Sequence, residues 1–241
     1  MADARLIQHR SAWRHKPALR AVYEDCYRRI AASCQPGASL EIGGGTGNFK
    51  AFAPEVVSTD IQSVPWLDAV CDAHALPFAA GSFDNIVGCD VLHHLQRPRL
   101  FLDEAARVLR PGGRLVLIEP AITPASWIAY NFFHPEPVRM DEDPLADGAP
   151  ETPRDPFDAN QAIPTLLFRR QPDRLARVCP ELALRELELF GLFAYPLSGG
   201  FRRWSLIPSW AVGGLLKIER ALLPALGPLM AFRLFAVLER R

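Results

Sequence analysis

Residues 40–49 read Leu-Glu-Ile-Gly-Gly-Gly-Thr-Gly-Asn-Phe, and this stretch concentrates the residue types best suited to holding a ligand. One acid, Glu41, is followed by glycines at 43, 44, 45 and 47. Without Cβ atoms such a turn lets backbone approach a ligand closely, and a helix starting after it would offer N–H groups that lack intrahelical partners. The spacing is not that of a dinucleotide-binding turn. Gly-x-Gly-x-x-Gly would need glycine at Asn48 counting from Gly43, or at Lys50 counting from Gly45. Nor does glycine precede Lys50, as a phosphate loop requires. Downstream, Asp60 and Asp72 each close a short apolar run. The pair His93-His94, and His134 with Glu136 nearby, supply imidazoles. Their proton affinity near neutrality makes them the usual proton acceptors when an amine or hydroxyl must become nucleophilic. The cluster Asp141-Glu142-Asp143 has the hardness a divalent cation prefers. Three consecutive acids on a proline-rich loop nevertheless read as a solvated face, and no metal is expected.

Strands must deliver these residues to one place. Short apolar runs at 40–42, 55–59, 69–71, 83–89 and 114–119 read as strands. Helical spacing covers 100–109 through Leu100, Leu102, Ala105, Ala106 and Leu109, and Pro111-Gly112-Gly113 stops it. Strands joined by crossover helices imply a parallel sheet with helices on both faces. Ligands bind outside the carboxyl ends of such strands, which is where the glycine turn, Asp60, Asp72 and His93-His94 fall. Residues 1–37 form an amphipathic helical segment, with Trp13, Leu19, Val22, Tyr23, Cys26 and Ile30 near helical spacing and a break at Gln35-Pro36-Gly37. Residues 120–160, rich in proline, read as an insertion or lid over the ligand edge. In 161–241 a short helix is expected at 172–178, an alternating strand from 184, a helix at 212–226 and a last strand at 232–238. The whole chain, 1–241, is expected to be one domain with its ligand-binding core at 38–119.

The remaining pattern, Glu-x-Gly-x-Gly-x-Gly, resembles the class I S-adenosylmethionine-dependent methyltransferases, especially those acting on small molecules. The resemblance continues in register through Asp60, Asp72-Ala73, Leu76-Pro77-Phe78, Ser82-Phe83-Asp84-Asn85, Asp90-Val-Leu-His-His-Leu95 and Arg107-Val-Leu-Arg-Pro-Gly-Gly-Arg-Leu115, and covers about residues 38–119. It implies an α/β fold: a Rossmann-like, seven-stranded, mostly parallel sheet flanked by helices, closing with a sixth strand and an antiparallel seventh. It implies S-adenosyl-L-methionine as cofactor and S-adenosyl-L-homocysteine as product. In the family the turn, here Gly43, Gly44, Gly45 and Gly47, cradles the methionine part, and an acid at the position of Glu41 supports its cationic end. Asp60, with Ile61 beside it, would meet the ribose hydroxyls. Asp72 would take the adenine amino group, with backbone of Ala73 or His74 against the ring, and Asp90 completes the set. A sulfonium methyl is already activated, so alignment and exclusion of water are the protein's main tasks. A base, where the acceptor needs one, would come from His93, His94 or His134.

Composition narrows the partners. The chain has 241 residues with 27 basic and 27 acidic side chains, which argues against broad electrostatic binding of nucleic acid. Near the fourth strand there is no Asn-Pro-Pro-Tyr type tetrapeptide of the base-methylating kind. The five cysteines, Cys26, Cys34, Cys71, Cys89 and Cys179, are odd in number and form no Cys-x-x-Cys pair. They read as reduced, which fits a cytoplasmic protein. No apolar run reaches the roughly 18 residues of a membrane span. Residues 192–235 are nonetheless rich in large apolar groups, and Arg202-Arg203 stand beside Trp204. Such a surplus suits a lipid-like acceptor or peripheral contact with a membrane, and it equally suits core packing. The function expected is methyl transfer to a small or lipid-like acceptor. A non-catalytic cofactor-binding or scaffold protein on the same fold is the alternative.

Overall fold

The computed structural model of the chain describes residues 3–151 and 155–241. Helix α1 (Ala4–His15) begins at Asp3, whose side chain accepts from the Arg5 N–H. Helix α2 (Pro17–Ser33) follows at once. The expected single helical segment is therefore two helices. Pro17 has no N–H to donate and starts the second one, a position where proline is well tolerated.

The strands are β1 (Ser39–Ile42), β2 (Val57–Asp60), β3 (Ala69–Val70) and β4 (Phe83–Cys89), with α3 (Asn48–Phe52) after the glycine turn. A single 3₁₀ turn at Leu92–His94 leads to α4 (Pro98–Val108) and β5 (Leu109–Pro120). Strand β5 starts five residues earlier than its apolar run suggests, because Leu109 already pairs with Phe83 and the ladder then shifts register past Gly112. Next come α5 (Pro124–Phe133), α6 (Ile163–Thr165), a π-turn (Leu166–Arg170) and α7 (Pro172–Val178). The chain closes with β6 (Leu182–Phe190), α8 (Ala194–Ser198), α9 (Ser209–Met230) and β7 (Arg233–Arg240). Helix α9 outruns its sequence expectation at both ends and passes through Pro224 and Pro228.

The sheet has seven strands in the order β3-β2-β1-β4-β5-β7-β6. The β1 to β5 neighbours pair in parallel, and β7 runs antiparallel between β5 and β6. This is the expected seven-stranded Rossmann-like sheet. Period-two alternation divides its two faces. Leu115 and Leu117 pack with Phe101, Leu102 and Ala105 of α4. Val116 and Ile118 pack with Leu19, Tyr23 and Ile30 of α2. Helix α5 is secured by a capping box in which Thr123 and Ser126 exchange hydrogen bonds.

Candidate cofactor and acceptor site

Strand order reverses between β1 and β4, and at that switch point a cavity of about 710 Å³ opens beyond the strands' carboxyl ends. The glycine turn forms its floor. Gly43, Gly45 and Gly47 have φ of 67°, 44° and 74°, conformations that side chains rarely adopt. A Cβ on Gly43 would stand 2.3 Å from Val91 Cγ2, so no side chain fits there. Gly43, Gly44 and Gly45 line the cavity, whereas Gly47 sits behind it as the left-handed N-cap of α3.

The acids expected at the strand ends are gathered at this edge. Glu41 is buried and accepts from the Ser58 hydroxyl. Burial, partly opposed by that hydrogen bond, raises its carboxyl to about 7. Asp60 accepts from Gly45 N at 2.9 Å and Gln62 N at 2.8 Å, so it pins the glycine turn to the end of β2. Burial pushes its pKa up, against these backbone donors. An ionised carboxylate has about four acceptor positions, which leaves capacity on the cavity side. Ile61, Asp72, Ala73 and His74 complete this wall. Asp72 holds His74 through both the backbone N–H, at 3.0 Å, and Nδ1, at 2.6 Å.

Asp90 is the one non-glycine residue with positive φ among the described residues, at 60°. It is clamped there by Tyr23, whose hydroxyl donates at 2.8 Å, and by Arg233 Nη1 at 2.5 Å. Burial would raise the Asp90 pKa, but the charge and hydrogen bond of Arg233, the His93 charge and the Tyr23 hydroxyl together more than offset it, and the net shift is downward. Arg233 itself is 1% exposed, stacks 4.7 Å from the Tyr195 ring centroid, and leaves Nε without a partner. Tyr23, Tyr195 and Arg233 all line the cavity, and none was anticipated as a site residue. The one available signal was a lone arginine inside the apolar run Phe232-Arg-Leu-Phe-Ala-Val-Leu238.

The three histidines expected near the reacting groups all face the cavity in different states. Glu119, fully buried at the end of β5, accepts from Val91 N at 2.9 Å and Leu92 N at 2.8 Å, and contacts His93 Nδ1 at 2.6 Å. His93 Nε2 faces Glu136 at 3.5 Å. Burial alone would depress the His93 pKa, but the two carboxylates raise it to about 10. That imidazole therefore stays protonated at neutral pH and has no lone pair with which to accept a proton. The same contact drives Glu136 down to about 2 despite its burial. His94 is lowered to about 4 by burial and by the neighbouring His93 charge. Its Nδ1 meets the Asp158 carbonyl at 3.1 Å, which fixes that nitrogen as donor and leaves Nε2 as acceptor. His134 is likewise lowered by burial, so it too is neutral at pH 7. Its Nδ1 receives a weak 3.3 Å hydrogen bond from Glu136 N.

Ligand atoms of His93, His94 and Glu136 lie within 4.8 Å of one another. The imidazolium of His93 supplies the positive charge in this cluster. The acidic triplet is dispersed: Asp143 pairs with Arg174 at 2.6 Å and Glu142 with Arg139 at 3.1 Å. From the 120–160 region, Glu136 reaches His93 at 3.5 Å and Asn160 N donates to the His93 carbonyl at 2.8 Å.

Residues 40–117 match the family model for the methyltransferase domain. Over 130 residues the chain is 33% identical to the ubiquinone/menaquinone biosynthesis C-methyltransferase UbiE of Bordetella parapertussis, an alignment covering 42% of this chain and 50% of that one. The chain thus spans about half the length of such curated relatives. A Thermotoga maritima structure described as a SAM-dependent methyltransferase, possible histamine N-methyltransferase, superposes with a TM-score of 0.54 at 15% identity, covering 93% of this chain and 92% of that one. The geranyl diphosphate C-methyltransferase of Streptomyces coelicolor superposes with a TM-score of 0.53 at 12% identity, covering 91% and 79%. Residues 40–117, through their motif order and their match to the methyltransferase-domain model, and the fold as a whole are similar to those of S-adenosylmethionine-dependent methyltransferases.

Proposed function

We propose that the chain binds S-adenosyl-L-methionine along the glycine turn and transfers its methyl group to a small-molecule or lipid-like acceptor. The observation that carries this reading is convergence. A turn too tight for any Cβ at Gly43, two carboxylates at the ends of neighbouring segments, and a cavity with apolar walls all meet at the topological switch point.

When bound, the cofactor supplies an electrophilic methyl on a sulfonium. The protein's own residues then have three tasks. Asp60 offers negative charge and acceptor oxygens at the glycine turn, and Glu41, raised to about 7, offers acceptor oxygens that a cationic ligand nearby would draw into the ionised form. Asp72 and the Ala73-His74 backbone close the far wall. Tyr130, Phe133, Tyr195, Phe201 and Phe232 wall the remaining space, so the acceptor side is largely apolar and excludes water. Where the acceptor must lose a proton, His94 has a free lone pair on Nε2, and His134 can accept one only once its Nδ1 is released from the Glu136 N–H, whereas His93 with Glu119 and Glu136 is a positioning group.

S-adenosylhomocysteine is expected to raise the melting temperature by mass action, and NAD is not. Candidate metabolites incubated with the protein and labelled cofactor should gain one methyl by mass spectrometry. A shift with NAD and none with S-adenosylhomocysteine would overturn the assignment.

A further inference from the structure

Helices α5 and α9 pack against each other, and each leaves an apolar face uncovered. On α5 the face carries Trp127, Ile128, Phe132 and Phe133, the last two 69% and 68% exposed. On α9 it carries Trp210, Ile218, Leu222 and Leu229, and Leu206 precedes it; Trp210 is 85% and Leu206 70% exposed. The guanidinium of Arg202 donates to the Phe133 carbonyl, which ties the loop before α9 to the end of α5. Phe133 and Trp204 also line the cavity, so the uncovered surface continues into its mouth.

Charge decides what suits this surface. From residue 194 to 230 there are four cations, Arg202, Arg203, Lys217 and Arg220, and a single acid, Glu219. Glu219 is turned inward, 2% exposed, and accepts from Phe193 N and Ala194 N. Helix α5 contains no charged residue at all. Arg220 is paired with Asp25 of α2 at 2.5 Å, so the uncovered face presents aromatic and aliphatic groups with Arg202, Arg203 and Lys217 as its unneutralised charges from this segment. Tryptophan favours the boundary between headgroups and acyl chains, and lysine reaches past buried carbons to the headgroups. Among the described residues no helix is long and apolar enough to cross a membrane, and in α9 Lys217, Glu219 and Arg220 fall at mid-length. An amphipathic helix of this kind lies in the interface plane instead.

We infer that the α5–α9 face docks onto an anionic lipid surface and opens the cavity mouth toward it. Docking itself does not depend on the chemistry in the cavity. The accompanying conclusion, that an amphipathic acceptor enters from the bilayer past Phe133 and Trp204, rests on the methyl-transfer reading.

The test is flotation of the full chain with vesicles of phosphatidylcholine alone, or with about a third replaced by phosphatidylglycerol. The protein should float with the anionic vesicles and at least tenfold less with the neutral ones. A triple variant, Phe132→Ser, Leu206→Ser and Trp210→Ser, alters exposed side chains only. It should lose anionic-vesicle binding at least tenfold while keeping the wild-type melting temperature and its shift with S-adenosylhomocysteine. Lys217→Glu should weaken anionic binding in the same direction. Wild-type protein that ignores both vesicles, or a triple variant that floats as well as wild type, overturns the inference. So does a dimer in solution that the triple variant dissolves while vesicles stay unbound, since a second copy would then own the face. The thermal shift with S-adenosylhomocysteine is read without lipid, so failure of the cofactor reading is seen separately.

Discussion

Replacing Arg233 by methionine tests the buried centre of the site. The guanidinium is 1% exposed, holds Asp90 at 2.5 Å and stacks on Tyr195. Methionine keeps much of the volume and removes the charge. Asp90, its side chain 25% exposed, would then be left partly buried with the Tyr23 hydroxyl and a long contact from the Cys89 thiol as its remaining donors. Removing one partner of a buried ion pair costs about 3–5 kcal/mol, against a typical total stability of about 5–15 kcal/mol. The second half of the cycle is Asp90→Asn. Asparagine tolerates the left-handed backbone at φ 60° and can still accept from the Tyr23 hydroxyl. The double variant should therefore recover at least about 2 kcal/mol of the loss, because neither partner is left charged and alone. Urea melts of wild type, both single variants and the double variant measure the coupling. Acidification should narrow the deficit of Arg233→Met, since burial without Arg233 raises the Asp90 pKa and protonation removes the stranded charge. A cost below about 1 kcal/mol for Arg233→Met, or strictly additive effects, would refute the argument.

Three further outcomes are expected. Asp60→Ala should weaken S-adenosylhomocysteine binding by about 10- to 100-fold, or about 1–3 kcal/mol for a charge-assisted hydrogen bond, measured by calorimetry; unchanged affinity would remove Asp60 from the ribose. His134→Ala should leave that affinity intact and slow turnover by roughly 10²–10⁴ if the acceptor needs deprotonation, and normal turnover would exclude it as the base. His93 is raised from 6.5 to about 10, so its stabilisation is complete below pH 6.5 and disappears as pH rises through 10. Between pH 7 and 10 the wild type should lose on the order of 2–4 kcal/mol relative to His93→Gln in denaturant melts; parallel pH curves would show that the imidazolium carries no such weight.

Local signals along the chain made much of this protein legible from its residues. The glycine turn, the acids closing β2 and following β3, and the period-two apolar alternation of β5 are properties of short segments. A backbone that must turn tightly and a face that must be buried leave marks at fixed spacing. Other features are legible only as neighbours in space. Asp90 and Arg233 are 143 residues apart in sequence, and Glu119 reaches Val91 and His93 across the sheet edge. Nothing at any one of these positions announces its partner. The protonation state of the histidines belongs to the same class: His93 and His94 are adjacent, yet two carboxylates raise His93 while burial and the His93 charge lower His94. The apolar surplus near the C-terminus is the clearest case. By composition a buried core and a lipid-facing surface look alike, because both call for tryptophan, leucine and phenylalanine. Only the packing of α9 on α5 and β6 settles which side of each helix stays uncovered, since burial is decided by what else occupies the neighbouring volume.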